Sequence, residues 1–499
     1  MTTKNIKPIV LMLIEGWGLS ANWRGNAIAS AKADNFQRFW NSYYHLVLRA
    51  NSPLKLSVVP DPLANYYSMS AGQNLPDPHS FILDNISKQS EAGARLFKGL
   101  AKSNGALHLV GNISKNSEFG DLNVLDALIR LAKEQKIYRL YIHILAEDSY
   151  KDKKSFLDRI TELEQLISQH DLGEIATISG MSVASNENSL RDYIDVLRSR
   201  TGGRSIDVSQ AVNHCTSHLD RMEPAILTDS KDAFIKDFDT VIFFNHQLDC
   251  SKMIINQLLA TGSGSQKNKL NFTEIWTLVN FPSIYSDKIN CLFPLNKEES
   301  LASVISRSKT GSFLISEADR NVPLSFYFDA SHFTKNTFIQ SNGDNSYLSQ
   351  WRKIINTTNA RISDAIDSSQ YKFIIGNYST LPKLCQFGSF DDIVMGVLEL
   401  DRSMLKLADK VLEQDGILFI ASPYGLAEKV ELGYKRHGVP LTSSGGPVPL
   451  IIMANNSQVS DFRKNLPKES INELISPRKD LTAIHRLLLL LLSKEGLIS

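Results

Sequence analysis

The stretch Ile-Val-Leu-Met-Leu-Ile-Glu-Gly-Trp-Gly at residues 9–18 constrains this chain more than any other: an uninterrupted apolar run meets Glu15 and a tryptophan held between glycines. An apolar run of this length bounded by a turn reads as a strand buried on both faces, as in a parallel sheet covered by helices on both sides. In such a sheet the carboxyl end of the strand opens on the ligand crevice, so Glu15 stands where chemistry is usually done. The competing reading, from spacing alone, is an ordinary strand-end carboxylate in solvent.

The rest of the chain extends the pattern. A helical stretch after the first strand sets Phe36, Phe39 and Trp40 at core spacing, and residues 45–49 read as a second strand. From about residue 82, apolar strands (107–110, 140–145, 175–180 and 240–245) alternate with helical stretches (122–135, 156–170 and 189–199). Such alternation predicts a second parallel sheet with helices on both faces. Strands at 312–316, 324–329, 373–378, 417–422 and 448–453, with helices at 348–367 and 391–413, then close the sheet that the first strand begins. The expected fold class is α/β with two doubly wound domains.

Composition narrows the function. The 499 residues suffice for two or three domains, each with its own core. With 54 basic and 53 acidic residues the net charge is +1, which predicts no electrostatic hold on nucleic acid or membrane. Cys215, Cys250, Cys291 and Cys385 lie far apart in sequence, as expected of reduced thiols in a cytoplasmic protein. The N-terminus has too few apolar residues for a secretory signal, and no run approaches the ~20 residues of a membrane span. The leucines at 487–492 predict a C-terminal helix packed on the core, with a docking surface for a partner as the less economical reading.

Gly16-Trp17-Gly18, Gly25-Asn26-Ala27-Ile28-Ala29 and the closing Pro447-Val448-Pro449-Leu450 resemble the cofactor-independent phosphoglycerate mutases, members of the alkaline phosphatase superfamily. The resemblance covers essentially the whole chain. It implies an alkaline-phosphatase-like domain of residues 1–80 and 295–499, carrying an inserted transferase-like α/β domain of residues 81–294. It also implies interconversion of 3- and 2-phosphoglycerate with two Mn or Mg ions, and it places Glu15 where the family has a metal-binding aspartate.

Two-metal phosphoryl transfer needs Asp and His ligands that hold the ions roughly 4 Å apart. The resemblance puts the remaining ligand positions at Pro382 and Gln386 in a loop after strand 373–378, at Ser422 with Pro423 or Tyr424, and at Ser443. Proline has no side-chain donor, and an amide is a poor ligand for a transition metal. The serine that takes the phosphoryl group falls at Tyr67, or at Ser68 after a shift of one residue. In the inserted domain the substrate-binding histidine falls near Phe119, an Arg-Asp pair near Asp148-Ser149, and an arginine segment at Met181-Ser182-Val183. Guanidinium forks suit phosphate and carboxylate, yet the segment from Phe244 to Cys250 keeps Asn245 and Asp249 with Gln247 between them and no arginine. A lysine contact between the domains becomes Arg320.

Scaffold residues are thus kept while charged ligands are replaced. The expectation is a phosphoglycerate-mutase-like pseudoenzyme without catalytic metals, with a binding, structural or regulatory role and an unidentified protein partner. Two other readings remain open here. One is an active mutase using Ser68, Glu15 and Glu428 in altered roles. The other is a metal-free small-ligand binder whose pocket lies between the domains, using Arg320, Asn245 and Gln247, and Asp249 is a further substrate-side candidate. His214 and His218, near Cys215 and Asp220, have metal-ligand spacing if helical, against the blander reading of solvated or core histidines. Tyr66-Tyr67-Ser68-Met69-Ser70 reads as a phosphoacceptor stretch or as an ordinary Ser/Tyr loop.

Overall fold

The computed structural model describes residues 7–50, 65–74, 91–113, 122–146, 153–185, 187–199, 204–205, 207–215, 219–245, 249–260, 274–279, 286–294, 300–308, 310–329, 332–341, 345–430, 446–455 and 480–494. The chain divides into two compact units, one of Met1–Leu75 with Asn296–Ser499 and one of Pro76–Leu295. In chain order the strands are β1 (Ile9–Ile14), β2 (Tyr44–Arg49), β3 (Leu107–Asn112), β4 (Leu140–Ala146), β5 (Glu174–Gly180), β6 (Arg204–Ser205), β7 (Ala225–Ile226), β8 (Thr240–Phe243), β9 (Glu274–Val279), β10 (Ile289–Phe293), β11 (Ser312–Glu317), β12 (Lys335–Ile339), β13 (Phe373–Tyr378), β14 (Ile417–Ala421) and β15 (Pro447–Met453).

The first unit holds a sheet ordered β12-β11-β13-β1-β14-β15-β2, parallel except that β15 runs antiparallel to both neighbours. β1 lies inside it, paired in parallel with β13 and β14, and all six of its residues are buried. Val10, Met12 and Ile14 share a core with Trp351, Ile355 and Ile362 of the helix Trp351–Asp367 and with Leu400, Met404 and Leu407 of the helix Phe390–Glu413. Ser389 and Asp392 start the latter helix with reciprocal side-chain-to-backbone hydrogen bonds. The sheet's carboxyl ends therefore bring the residues that follow β1, β11, β13 and β14 to one edge.

Two glycines serve this scaffold. Gly16 has φ +82°, donates to the Tyr424 carbonyl and accepts from the amides of Leu426 and Ala427. Gly25 accepts from the Val430 amide, and Asn26 caps the helix Ala27–Ala31 through its side chain. Backbone hydrogen bonds thus stitch residues 424–430 to the turn after β1.

Two expectations need correction. Residues 324–329, read as a strand, begin inside the helix Asn321–Tyr327; a short run of Leu, Phe and Tyr carries no periodicity that separates a buried helix from a strand. The segment after β13, read as a loop, is the helix Thr380–Phe387, whose Pro382 sits in the first turn, where a missing amide proton costs nothing. The sequence pattern also passed over β12, a polar edge strand.

The second unit holds a sheet ordered β10-β9-β8-β3-β4-β5-β7-β6, in which β5 and β7 pair antiparallel and the other pairs are parallel. Its centre contains a buried polar chain. Asp239 lies 3.2 Å from His108 Nε2, His108 Nδ1 lies 3.0 Å from His143 Nε2, and His143 Nδ1 lies 3.0 Å from the Thr177 hydroxyl. The C-terminal helix Thr482–Lys494 belongs to the first unit, with Leu487, Leu488, Leu491 and Leu492 buried.

Candidate functional site

Glu15, the residue after β1, has no exposed surface. A carboxylate can stay charged there only if donors replace the water it has lost. Arg320 supplies the largest share: its Nε lies 2.9 Å from Oε1 and 3.0 Å from Oε2 of Glu15, and its Nη2 lies 2.9 Å from Oε2. Tyr424 donates to Oε2 at 2.6 Å, and the Asn377 amide donates to Oε1 at 2.8 Å. The Tyr66 hydroxyl, 2.7 Å from Oε1 and 2.8 Å from the Asn377 side-chain oxygen, shares its proton between them. Asn377 also donates to Ser316 at 3.0 Å. Both carboxylate oxygens are therefore filled by side chains of the chain itself.

A second buried cation continues the arrangement. Lys383, on the helix after β13, donates to Glu317 at 2.7 Å, to Asp319 at 3.0 Å and to Ser341 at 2.9 Å, which uses all three ammonium protons. Its Nζ also lies 4.8 Å from the centre of the Tyr347 ring. Glu317 accepts in addition from Ser379 at 2.7 Å and Tyr347 at 3.0 Å. Asp319 joins the two halves, because its other oxygen accepts from Arg320 Nη1 at 2.6 Å. The result is an alternating chain of charges, Glu15–Arg320–Asp319–Lys383–Glu317, at the carboxyl ends of β1, β11 and β13.

The electrostatics follow from this geometry. Burial opposes ionisation of Glu15, but the Arg320 charge and the hydrogen bonds from Arg320, Tyr424 and Tyr66 outweigh it and hold the carboxyl below its ordinary value of 4.5. Burial, and then the Glu15 charge, push the Tyr66 and Tyr424 hydroxyls well above 10. Both tyrosines are thus neutral donors at physiological pH, unsuited to act as oxyanion nucleophiles.

The structure sorts the candidates from the sequence. It brings Glu15, Arg320 and Tyr424 together and adds Tyr66, Asn377, Ser316, Lys383, Glu317 and Asp319, none of which motif position alone had singled out as part of one cluster. Within the helix Asn65–Ala71 it is Tyr66 that reaches Glu15, while the Tyr67 hydroxyl accepts from Gln73 at 2.9 Å and Ser68 is buried. Ser422 donates to the Tyr424 carbonyl at 2.7 Å, shaping the turn that aims the tyrosine. Pro382 is buried in its helix, Gln386 is partly exposed on the same helix, and Ser443 lies outside the described residues. Glu428 makes none of the cluster's hydrogen bonds; its buried carboxylate packs on Gly18, where a β-carbon would stand 2.1 Å from its carboxyl carbon.

In the second unit the Asn245 side chain accepts from the Asn112 amide at 2.8 Å and donates to the Asn112 carbonyl at 3.0 Å, bracketing the end of β3. Gln247 lies outside the described residues, and Asp249 opens the helix Asp249–Ala260. His214 ends the helix Val208–His214, and Cys215 turns to extended backbone, so the helical spacing needed for a His214–His218 pair is broken at its first step. His218 lies outside the described residues, as do His246, Phe119, Asp148 and Ser149.

A family model for the N-terminus of the BPG-independent phosphoglycerate mutases matches residues 80–283. Among curated proteins, the 2,3-bisphosphoglycerate-independent phosphoglycerate mutase of Clostridium perfringens strain 13 is 25% identical over 486 residues, covering 91% of this chain and 92% of the relative. The enzyme of the same name from Clostridium tetani is 24% identical over 502 residues, with 95% of each chain covered. Among solved structures, Leishmania mexicana phosphoglycerate mutase, crystallised at low cobalt concentration, superposes with a TM-score of 0.61 at 16% identity over 90% of each chain. The fold and the full-length match define the class: a two-domain α/β protein of the phosphoglycerate mutase type. Residues 80–283 thus match that family's model, and over nine-tenths of its length the chain is similar to cofactor-independent phosphoglycerate mutases.

At the described positions that the resemblance assigns to metal ligands, the donor set does not fit the pair of divalent ions that the resemblance implies. Glu15 has its oxygens occupied by Arg320, Tyr66, Tyr424 and Asn377, Pro382 has no donor, and Ser422 spends its hydroxyl on a backbone carbonyl. Arg320 and Lys383 bring two fixed positive charges into the same crevice.

Proposed function

We propose that this chain is a phosphoglycerate-mutase-like protein that does not carry out metal-dependent phosphoryl transfer and acts as a binding, structural or regulatory component in the cytoplasm. The observation that carries this reading is the closed coordination of Glu15 by Arg320, Tyr66, Tyr424 and Asn377. A catalytic metal would have to displace a bidentate guanidinium from a fully buried carboxylate, and no serine stands where Tyr66 meets it.

Enzymes accelerate the slowest reactions by up to ~10²¹-fold, and phosphate-monoester hydrolysis is among these. Neutral tyrosine hydroxyls and paired carboxylates do not supply that stabilisation. The test is metal content by mass spectrometry after dialysis against Mn²⁺, with a coupled assay for conversion of 3- to 2-phosphoglycerate. The expected result is a folded protein with substoichiometric metal and no turnover. Two bound ions per chain with mutase activity would overturn the reading.

A further inference from the structure

The polar chain in the second sheet is used by nothing described so far, and its atoms fix where its protons sit. Asp239, just before β8, accepts from the Ala106 amide at 2.7 Å on one carboxylate oxygen and from the Lys236 amide at 2.8 Å on the other. Both oxygens are thus acceptors, so His108 Nε2, 3.2 Å away, carries a proton. His108 Nδ1 stands 3.0 Å from His143 Nε2, and His143 Nδ1 stands 3.0 Å from the Thr177 hydroxyl. With both imidazoles neutral, one set of tautomers satisfies every atom: each ring is protonated on Nε2, and Thr177 donates to His143 Nδ1. His108, His143 and Thr177 have no exposed surface, and the two rings stack with centroids 5.2 Å apart.

Asp239 is the charge that meets this pair. Tyr141 packs on His108 with ring centres 5.6 Å apart and directs its hydroxyl to Ser230. On the same side of the sheet, the helix Asp249–Ala260 contributes the apolar Ile254, Ile255 and Leu258. The helix Glu187–Arg198 contributes Leu190, Tyr193 and Ile194, while Arg198 at its end interacts with Asp195 and Asp237. The Tyr193 hydroxyl is buried beside Thr177 and makes no hydrogen bond of ordinary length.

We propose that His108 and His143 form a one-proton store, a pH-sensitive switch that reverses the direction of the whole hydrogen-bond chain when it fills. The proton comes from a solvent acid and bonds to His143 Nδ1, while the His143 Nε2–H bond breaks and that proton bonds to His108 Nδ1. His108 is then the cation against Asp239. His143 stays neutral in its other tautomer and donates to Thr177, whose hydroxyl turns to the unpartnered oxygen of Tyr193. Burial, and then the neighbouring His108, hold His143 well below 6.5, which keeps the charge on His108. A second proton would set two N–H groups against each other across 3.0 Å between like charges. Asp239 also anchors the turn at 236–239, where the exposed Phe238 has φ +73° and its carbonyl accepts from Ser103 at 3.0 Å. The state of the store is therefore felt at a strained surface turn.

The test is NMR of the full chain with isotope-labelled histidine, titrated between about pH 8 and pH 5, the range in which histidine changes charge. His108→Gln and Thr177→Val assign the signals. At the upper end both rings should be Nε2–H tautomers. On acidification His108 should become doubly protonated and His143 should change to its neutral Nδ1–H tautomer at one shared midpoint, which the Lys236 amide should follow. Asp239→Asn should lower that midpoint by about 1–3 units. If this variant does not fold, Thr177→Val, which removes the group that receives the reversed bond, should lower it as well. Two separate midpoints, a His143 that keeps its tautomer or becomes cationic, a pair still neutral at the acid end, or unfolding of the second sheet before either ring titrates would overturn the proposal.

Discussion

Glu15 keeps its charge under complete burial because every lone-pair direction meets a donor, and the same logic governs Glu317. Removing one partner of such a pair is far more damaging than the net worth of the pair, since the remaining charge is stranded. Lys383→Met should therefore destabilise the first unit by about 3–5 kcal/mol, read as a fall in the urea midpoint at unchanged slope. An unchanged midpoint would mean that Glu317 finds another partner. Which residues meet here was partly legible beforehand. Glu15 is visible as a carboxylate ending an apolar strand, and Arg320 as a basic residue at a lysine's place. Lys383 was not, because it adjoins Pro382, the position that motif matching singled out, and Tyr66 stood out only within a candidate phosphoacceptor stretch. Helix geometry turns the neighbour inward: in the helix Thr380–Phe387 it is Lys383 that reaches the crevice.

Two elements hold the site in place by close backbone approach. The helix Asn65–Ala71 presents Tyr66 and packs on the C-terminal helix Thr482–Lys494, where His485 Nδ1 lies 2.7 Å from the Ser70 carbonyl. Gly72 makes this packing feasible, with φ +66° and room for a β-carbon only at 2.3 Å from the His485 ring. Gly72→Ala is expected to cost about 1–3 kcal/mol through overpacking and backbone strain. Differential scanning calorimetry checks it, and near-native stability would show that the two helices can slide apart freely. In the second unit, the side chain of Asn245, a substrate-side candidate by resemblance, pairs with both backbone groups of Asn112. Asn245→Ala should lower stability by about 1–3 kcal/mol, since it strands a buried amide and carbonyl. A variant as stable as the native protein would separate Asn245 from the fold.

At the scale of the whole molecule, the two units carry different acid sensitivities. Burial, and then the neighbouring His108, hold His143 well below 6.5, so its contribution to stability is complete above 6.5 and is lost as the pH falls from there through the lower folded value. Glu15 is held below 4.5, so its contribution is complete above 4.5 and is lost only at lower pH. Hydrogen exchange, corrected for its intrinsic pH dependence, should show β3, β4 and β5 losing protection before β1 and β13 as acid is added. Simultaneous loss in both sheets would contradict this order. Strand positions and the α/β alternation were readable from the chain because they rest on local hydrophobic periodicity and turn residues. So was the chemistry of Pro382 and Ser422, since the donors a residue carries belong to the residue itself. The identity of Glu15's counter-charge was not, because Arg320 and Glu15 stand 305 residues apart and Tyr424 and Glu15 stand 409 apart. Electrostatic pairing acts through space over a few ångströms, so only the folded sheet, by aligning the ends of β1, β11, β13 and β14, decided which cation would fill the crevice.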